Sequence, residues 1–350
     1  MNGLRVALVG ATGAVGQVCL RILEERAFPA ASIRVCASEP SWGKKLRVNG
    51  QELTVEEATP ELLGEVDLVF IAAGSDISRE LAPIAVERGA MVIDKSAAFR
   101  MDPAVPLVVP EVNAGDLDGH RGIVSTPNCS TTPLVMALKP LDAVNRVVRV
   151  TVATYQAVSG TGAAAEEELR VQSGQVLGGD EAQPEVYPHQ IAFNVLPQVE
   201  EFLDTGYTTE EMKMVYETRK IMHRPDLAVS ATCVRVPVQV SHSEAVHVEL
   251  EQPMSPEEVS ELLAGAPGIR LLDAPASNVY PMPFEAAGQD PVFVGRVRRD
   301  ESHPNGIVMW LVLDNLRKGA ALNAVQIAEE LMRKELLPRG HGVERSFVGS

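Results

Sequence analysis

The chain is poor in cysteine and in positive charge, and it has no long apolar run. Its four cysteines, Cys19, Cys36, Cys129 and Cys233, are scattered through 350 residues, with no Cys-x-x-Cys pair and no histidine at ligand spacing. That excludes a disulfide framework and a zinc site, and it fits a reducing compartment. No stretch approaches the ~20 apolar residues that a membrane span needs. The strand-like run from Leu4 begins so soon after Met1 that no secretory leader is expected. Lys and Arg number 31 against 47 Asp and Glu, a net charge of −16, which argues against nucleic acid or an anionic membrane as partner. The expectation is a cytoplasmic protein without a metal. In so acidic a chain an anionic substrate must be met by individual basic side chains, so single Arg and Lys positions are informative.

What is present is globular: 45% hydrophobic and 22% charged residues, over a length that predicts two domains. Residues 4–9 form a branched apolar run, followed by Gly10-Ala11-Thr12-Gly13-Ala14-Val15-Gly16 and then a helical pattern, with Val15, Val18, Cys19, Ile22 and Leu23 on one face. Strand, glycine turn and helix are the context of a dinucleotide site, where glycines let a pyrophosphate approach the helix N-terminus. A purely structural turn is the competing reading. Residues 33–37 make the second strand, after which Ser38, Ser41, Lys44 and Lys45 suit a 2′-phosphate and favour NADP, while Glu39 keeps NAD open. A strand at residues 67–73 ends at Gly74, a second place where the chain can pass the cofactor. The strand at residues 91–94 runs into the basic loop that carries Arg100. Strands alternating with helices to about residue 126, with a hairpin about Asn49-Gly50, predict a Rossmann-like, doubly wound parallel sheet.

Beyond that point the alternation stops. Strands at 146–155, 229–240, 245–250 and 306–313, with helices at 163–176, 210–222 and 255–263, predict an α+β domain built on a mixed sheet. Residues 177–189 read as a loop or mobile insertion. A helix at 319–334 carries Asn323-Ala324-Val325-Gln326 and is expected to return to the first domain. The expected division is 1–127 with 315–338 for the cofactor, 128–314 for catalysis and dimerisation, and a mobile tail at 339–350.

The chemistry is expected at Ser125-Thr126-Pro127-Asn128-Cys129-Ser130-Thr131-Thr132. A thiol between a strand and a helix start lies near unpaired N–H groups and the positive end of the helix dipole, and both favour thiolate. The competing reading is a buried, inert cysteine. Three polar clusters accompany it: Gln156 with Ser159-Gly160, Glu210 with Lys213, and Arg235 with His242. Each has a bland alternative as a surface pair or a structural ion pair.

Taken together, these motifs over residues 10–331 resemble the aspartate-semialdehyde dehydrogenase family. The resemblance rests most on Pro127-Asn128-Cys129-Ser130-Thr131, on Gln156-Ala157-Val158-Ser159-Gly160, and on Arg235 with Ser241-His242. It implies Cys129 as nucleophile, His242 as acid/base and Gln156 beside the reacting carbonyl. Arg235 and Glu210 would bind the substrate's carboxylate and amine, and Arg100, Asn128 and Lys213 its phosphate. Gly10, Thr12, Gly13, Ala14, Val15, Gly16, Ser38, Ser41, Gly74, Ser159, Gly160 and Gln326 would line the NADP(H) site, with inorganic phosphate as co-substrate. One departure is Pro40, where many relatives carry arginine near the 2′-phosphate. The implied reaction is reversible NADPH-dependent reduction of L-4-aspartyl phosphate to aspartate semialdehyde through a Cys129 thioester. It would serve lysine, diaminopimelate, threonine, methionine and isoleucine biosynthesis, in a homodimer or homotetramer. The rival readings are another phosphorylating reductase, such as N-acetyl-γ-glutamyl-phosphate reductase or glyceraldehyde-3-phosphate dehydrogenase, and an inactive nucleotide-binding paralogue.

Overall fold

The computed structural model describes residues 3–48 and 50–337. The expected tail at 339–350 and Asn49 of the expected hairpin lie outside the described residues. The chain divides into two compact units: one holds the chain up to Val108, Gly115–Thr126 and the part from Ala324 onward, the other Val109–Ala114 and Pro127–Asn323.

The first unit has seven strands: β1 (Leu4–Val9), β2 (Ala30–Cys36), β3 (Lys45–Val48), β4 (Gln51–Glu56), β5 (Leu68–Ile71), β6 (Met91–Asp94) and β7 (Ile123–Ser125). They lie in the order β3-β4-β2-β1-β5-β6-β7. All neighbours are parallel except the β3/β4 hairpin. β5 and β6 are buried along their whole length, which is why they read as unbroken apolar runs. Helix Ala14–Glu25 buries Val18, Cys19, Ile22 and Leu23, and helix Ser75–Glu87 packs Ala82 and Ala85 onto Ala7, Val69 and Val92. The strand order reverses at β1, and ligands of open α/β sheets bind at the carboxyl end of such a strand. That end is Gly10.

The second unit is a six-stranded mixed sheet of β8 (Val147–Gln156), β9 (Ala228–Arg235), β10 (His242–Leu250), β11 (Ile269–Leu271), β12 (Val292–Arg299) and β13 (Gly306–Leu313), in the order β11-β12-β13-β10-β8-β9. β8/β9 and β11/β12 are parallel and the remaining pairs antiparallel. β8 alternates, with Val150, Val152, Thr154 and Gln156 inward and Arg149, Thr151 and Tyr155 outward. Helix Thr131–Val144 is buried almost all round. Helix Thr209–Ile221 starts from a capping box between Thr208 and Glu211.

One expected strand is cut short. The run at 229–240 leaves the sheet at Arg235, because Pro237 has no N–H for a ladder and Ser241 turns the backbone to φ +81°. Residues 236–239 instead bond to the turn after Gln156, through Val236 N–H to Gln156 O (3.0 Å) and Val158 N–H to Val238 O (2.9 Å). The next strand then opens on His242. The expected helix at 319–334 also starts differently: Arg317–Ala321 form a wide, π-type turn and the α-helix runs from Leu322 to Arg333.

Candidate active site

Cys129 stands just before Ser130, the N-cap of helix Thr131–Val144. Asn128 builds the turn. Its Oδ1 accepts the Ser130 N–H (2.8 Å), its carbonyl accepts the Thr132 N–H (3.1 Å), its own N–H donates to Glu217 Oε2 (2.6 Å), and its Nδ2 donates to both oxygens of Glu210 (2.9 Å each). The side chain expected to bind phosphate is thus also the brace of the nucleophile turn. Cys129 is half-buried, while the other three thiols are buried. Burial pushes Cys19 and Cys36 up to about 12, and it pushes Cys233 up as well, with Glu210 adding to the shift. The inert-cysteine reading therefore describes those three.

Behind Cys129 lies Gly319. A Cβ there would stand 3.0 Å from Cys129 Cβ, so the π-type turn can approach only as glycine. The turn is anchored by Lys318, whose buried Nζ donates to Glu111 Oε2 (2.6 Å) and Asn323 Oδ1 (3.0 Å).

Sheet register assembles the rest of the cluster. Arg235 at the end of β9 pairs with Gln156 at the end of β8. Gln156 Nε2 donates to Ser130 Oγ (2.6 Å) and Glu210 Oε1 (2.9 Å), which links the strand end to the residue after the cysteine. The carboxylate fixes the orientation of the amide, because a flipped one would set oxygen against oxygen. That leaves Gln156 Oε1 buried without a partner among the described residues. His242 is fully buried. Its Nδ1 accepts the Ala157 N–H (3.0 Å), and its Nε2 has no partner among the described residues. Burial holds its pKa well below the ordinary value, and the Arg235 charge lowers it further. Arg235 Nη1 donates to Ala157 O (2.7 Å), and its guanidinium lies 6.0 Å from the centroid of the Tyr187 ring. Gly160 faces both residues: a Cβ there would be 3.1 Å from Arg235 Nη1 and 3.3 Å from His242 Nε2.

Glu210 is buried and anchored by Asn128, Gln156 and Lys213 (3.5 Å), so the pair on this helix is no solvated surface pair. Lys213 also bonds to Glu200. The helix expected at 163–176 runs on to Gly178, and the rest of the segment at 177–189 is irregular but tied down. Glu168 accepts the Val186 N–H, Gln172 Nε2 donates to Gln183 O (3.2 Å), and Tyr187 Oη lies 2.8 Å from Thr161 Oγ1. Asn315, which the sequence reading passed over, joins two parts of the cluster. Its Oδ1 accepts the Ser241 N–H (2.9 Å) and its Nδ2 donates to Ser159 Oγ (3.0 Å).

In the first unit Gly10 has φ +84°, and a Cβ there would stand 2.4 Å from Ala72 O. A Cβ at Gly16 would lie 2.2 Å from Gly10 O, so helix Ala14–Glu25 packs closely on the turn. Gly13 caps this helix without a side-chain bond, and the first turn, with Ala14, Val15 and Gly16, holds no acidic residue. Thr12 lies in the same turn. Such an end fits a pyrophosphate. At the end of β2, Ser38 opens a short turn in which Lys44 Nζ lies 3.4 Å from Ser41 Oγ. Gly74 caps helix Ser75–Glu87, and Gln326 lies on helix Leu322–Arg333. Arg100 is buried, its Nη2 donating to Lys95 O (2.8 Å), in a loop shaped by Asp94 bonding Ser78 Oγ (2.7 Å) and Ser96 Oγ (2.8 Å).

The NAD binding domain of semialdehyde dehydrogenases matches residues 5–120, and their dimerisation domain matches residues 138–318. The chain belongs to the semialdehyde dehydrogenase family. Within the family, aspartate-semialdehyde dehydrogenase of Bacillus subtilis is 50% identical over 344 residues, covering 96% of this chain and 99% of the relative. Aspartate semialdehyde dehydrogenase II from Vibrio cholerae, crystallised in complex with ASA, superposes with a TM-score of 0.92 at 46% identity, over 95% of this chain and 99% of that one. The Candida albicans family member crystallised with NADP superposes at 0.76 and 27% identity, over 96% and 100% of the two chains. Among the described residues no three or more His, Cys, Asp or Glu side chains cluster so as to hold a metal ion, and no helix is long and apolar enough to cross a membrane.

Proposed function

We propose that the chain is an aspartate-semialdehyde dehydrogenase that uses NADP(H) and phosphate. The observation that carries this reading is the register that sets Arg235, Gln156 and His242 at one end of one sheet, with Gln156 bonded to the residue after Cys129. Cys129 is the nucleophile: its thiolate attacks the aldehyde or the acyl phosphate, and the thioester is the shared intermediate. The planar fork of Arg235 suits the substrate carboxylate and Glu210 the amine, while Lys213, Arg100 and Asn128 serve the phosphate. The dinucleotide, held by the turn from Gly10 to Gly16 and by Ser38, Ser41, Gly74, Ser159, Gly160 and Gln326, supplies the hydride acceptor when bound. Ser41 and Lys44 favour the 2′-phosphate, while Glu39 keeps NAD open and Pro40 stands where many relatives carry arginine.

The test is formation of NADPH from aspartate semialdehyde, NADP and phosphate. No absorbance change with folded protein overturns the reading, and turnover of N-acetylglutamate semialdehyde instead selects the rival reductase. Arg235→Lys is expected to raise KM for the semialdehyde about tenfold or more, because a charged bidentate contact worth roughly 1.5–3 kcal/mol becomes a single one. An unchanged KM takes the carboxylate elsewhere.

We also assign the outward face of the second unit's sheet, which carries Tyr155 packed on Trp310 at 5.2 Å, to a homodimer contact. A solution mass of twice the 37.6 kDa chain is expected by sedimentation, and a monomer at assay concentration removes this assignment.

A further inference from the structure

Arg235 carries a charge that the protein buries without a counter-ion. Only 6% of the residue is exposed, and among the described residues no ion pair reaches its guanidinium. Ala157 O accepts one bond from Nη1 (2.7 Å), and the ring of Tyr187 lies under the guanidinium carbon, 6.0 Å from it at the centroid. A buried cation is ordinarily met by a carboxylate. An aromatic face attracts the cation through the ring quadrupole instead, and it accepts none of the in-plane N–H bonds. The fork therefore stays open to the carboxylate of a ligand.

No helix or strand carries Tyr187, yet the chain is pinned on both sides of it. Helix Ala163–Gly178 supplies two buried polar side chains one turn apart, Glu168 and Gln172. Glu168 Oε2 accepts the N–H groups of Glu185 (3.3 Å) and Val186, and its Oε1 accepts Gln172 Nε2 (3.0 Å). Gln172 Oε1 accepts the N–H groups of Ile191 (2.9 Å) and Ala192 (3.2 Å). Between these anchors the Tyr187 ring packs against the cluster of Val158, Leu169 and Ile191, and Thr161 Oγ1 sets its hydroxyl at 2.8 Å. The chain then grips the backbone of Arg235. Leu196 N–H donates to Arg235 O (2.9 Å), and Arg235 N–H donates to Leu196 O (2.8 Å).

We propose that Tyr187 is a positioning residue for the substrate carboxylate: its ring holds the Arg235 guanidinium in place without occupying the donors that the carboxylate needs. Glu168 and Gln172 hold Tyr187 in turn, so the irregular stretch between Asp180 and Ala192 belongs to the specificity of the site. This role rests on the reading of Arg235 as the carboxylate ligand. Tyr187 acts through Arg235 alone, so its loss weakens semialdehyde binding and leaves the chemical step as it was.

The test is steady-state kinetics of Tyr187→Leu, Tyr187→Met and Tyr187→Phe with aspartate semialdehyde, NADP and phosphate. Leucine and methionine keep the apolar packing and remove the ring. Their KM for the semialdehyde is expected to rise about three- to thirtyfold, while kcat and the KM values for phosphate and NADP stay within about twofold of wild type. Phenylalanine keeps the ring and loses only the bond to Thr161, so its KM for the semialdehyde is expected within about twofold of wild type. An unchanged semialdehyde KM in the Leu and Met variants, or a rise shared by all three KM values, overturns the proposal. A Phe variant as impaired as the aliphatic ones also overturns it, because the effect would then belong to the hydroxyl. Wild-type turnover of the semialdehyde is measured first, and its absence overturns the substrate reading instead.

Discussion

Replacing Cys129 with serine is expected to remove turnover, by on the order of 10³-fold or more, while the dissociation constant for NADPH changes less than about twofold. The two halves of this expectation have separate causes. A serine hydroxyl at the same place keeps the turn, because Asn128 and Ser130 build it through backbone and amide contacts that do not involve the cysteine sulfur. It does not keep the nucleophile, since a hydroxyl is not ionised at neutral pH and is a far weaker nucleophile than a thiolate. The proposed dinucleotide turn, from Gly10 to Gly16, lies in the other compact unit and keeps its own geometry. Turnover and nucleotide affinity are measured on one preparation. Activity within tenfold of wild type would place the nucleophile on another residue, and the buried, high-pKa thiols of Cys19 and Cys36 are poor candidates.

The parts legible in the sequence were those set by local rules. Period and glycine spacing marked β1, the turn and helix Ala14–Glu25, because a strand buried on both faces and an amphipathic helix leave opposite patterns. The helices expected at 210–222 and 255–263 also start by a local rule, the capping boxes of Thr208 with Glu211 and Ser255 with Glu258. What was not legible depends on contacts distant in sequence. β12 ends in Arg298 and Arg299, and β11 has three residues, so neither shows a period; β12 exists because β13 pairs beside it, and β11 because β12 does. The break at Arg235 had a signal in Pro237, but the positive φ of Ser241 had none, since serine does not advertise a left-handed backbone. Asn315 is the clearest omission. Asp314-Asn315 after a strand looks like an ordinary turn, and only the fold brings Asn315 to Ser159 and Ser241. Gly319 likewise reads as a helix interruption until Cys129 is found against it.

Glu244→Gln is expected to stabilise the protein at neutral pH, by a margin that grows with pH. Glu244 lies on β10 between Thr154 of β8 and Leu311 of β13. It is fully buried, and neither carboxyl oxygen has a partner among the described residues. Burial therefore lifts its pKa well above 4.5. The sign follows from proton counts. Above the unfolded value of 4.5 the unfolded chain has lost this proton while the folded chain keeps it, so raising the pH favours unfolding. The penalty is absent below about that pH and increases by roughly 1.4 kcal/mol per pH unit until the folded carboxyl itself ionises. Glutamine nearly matches the shape and cannot ionise, so the variant escapes the slope. Denaturant midpoints of wild type and variant at pH 4.5, 6 and 7.5 are expected to separate progressively, with the variant higher at the upper end. A difference that stays constant across that range would mean that Glu244 is charged in the folded protein and has found a cationic partner. Arg235 is the cation in the adjoining row of the sheet, and pairing with it would withdraw that guanidinium from the substrate. The pH dependence of this variant therefore also bears on whether Arg235 is available to bind a carboxylate.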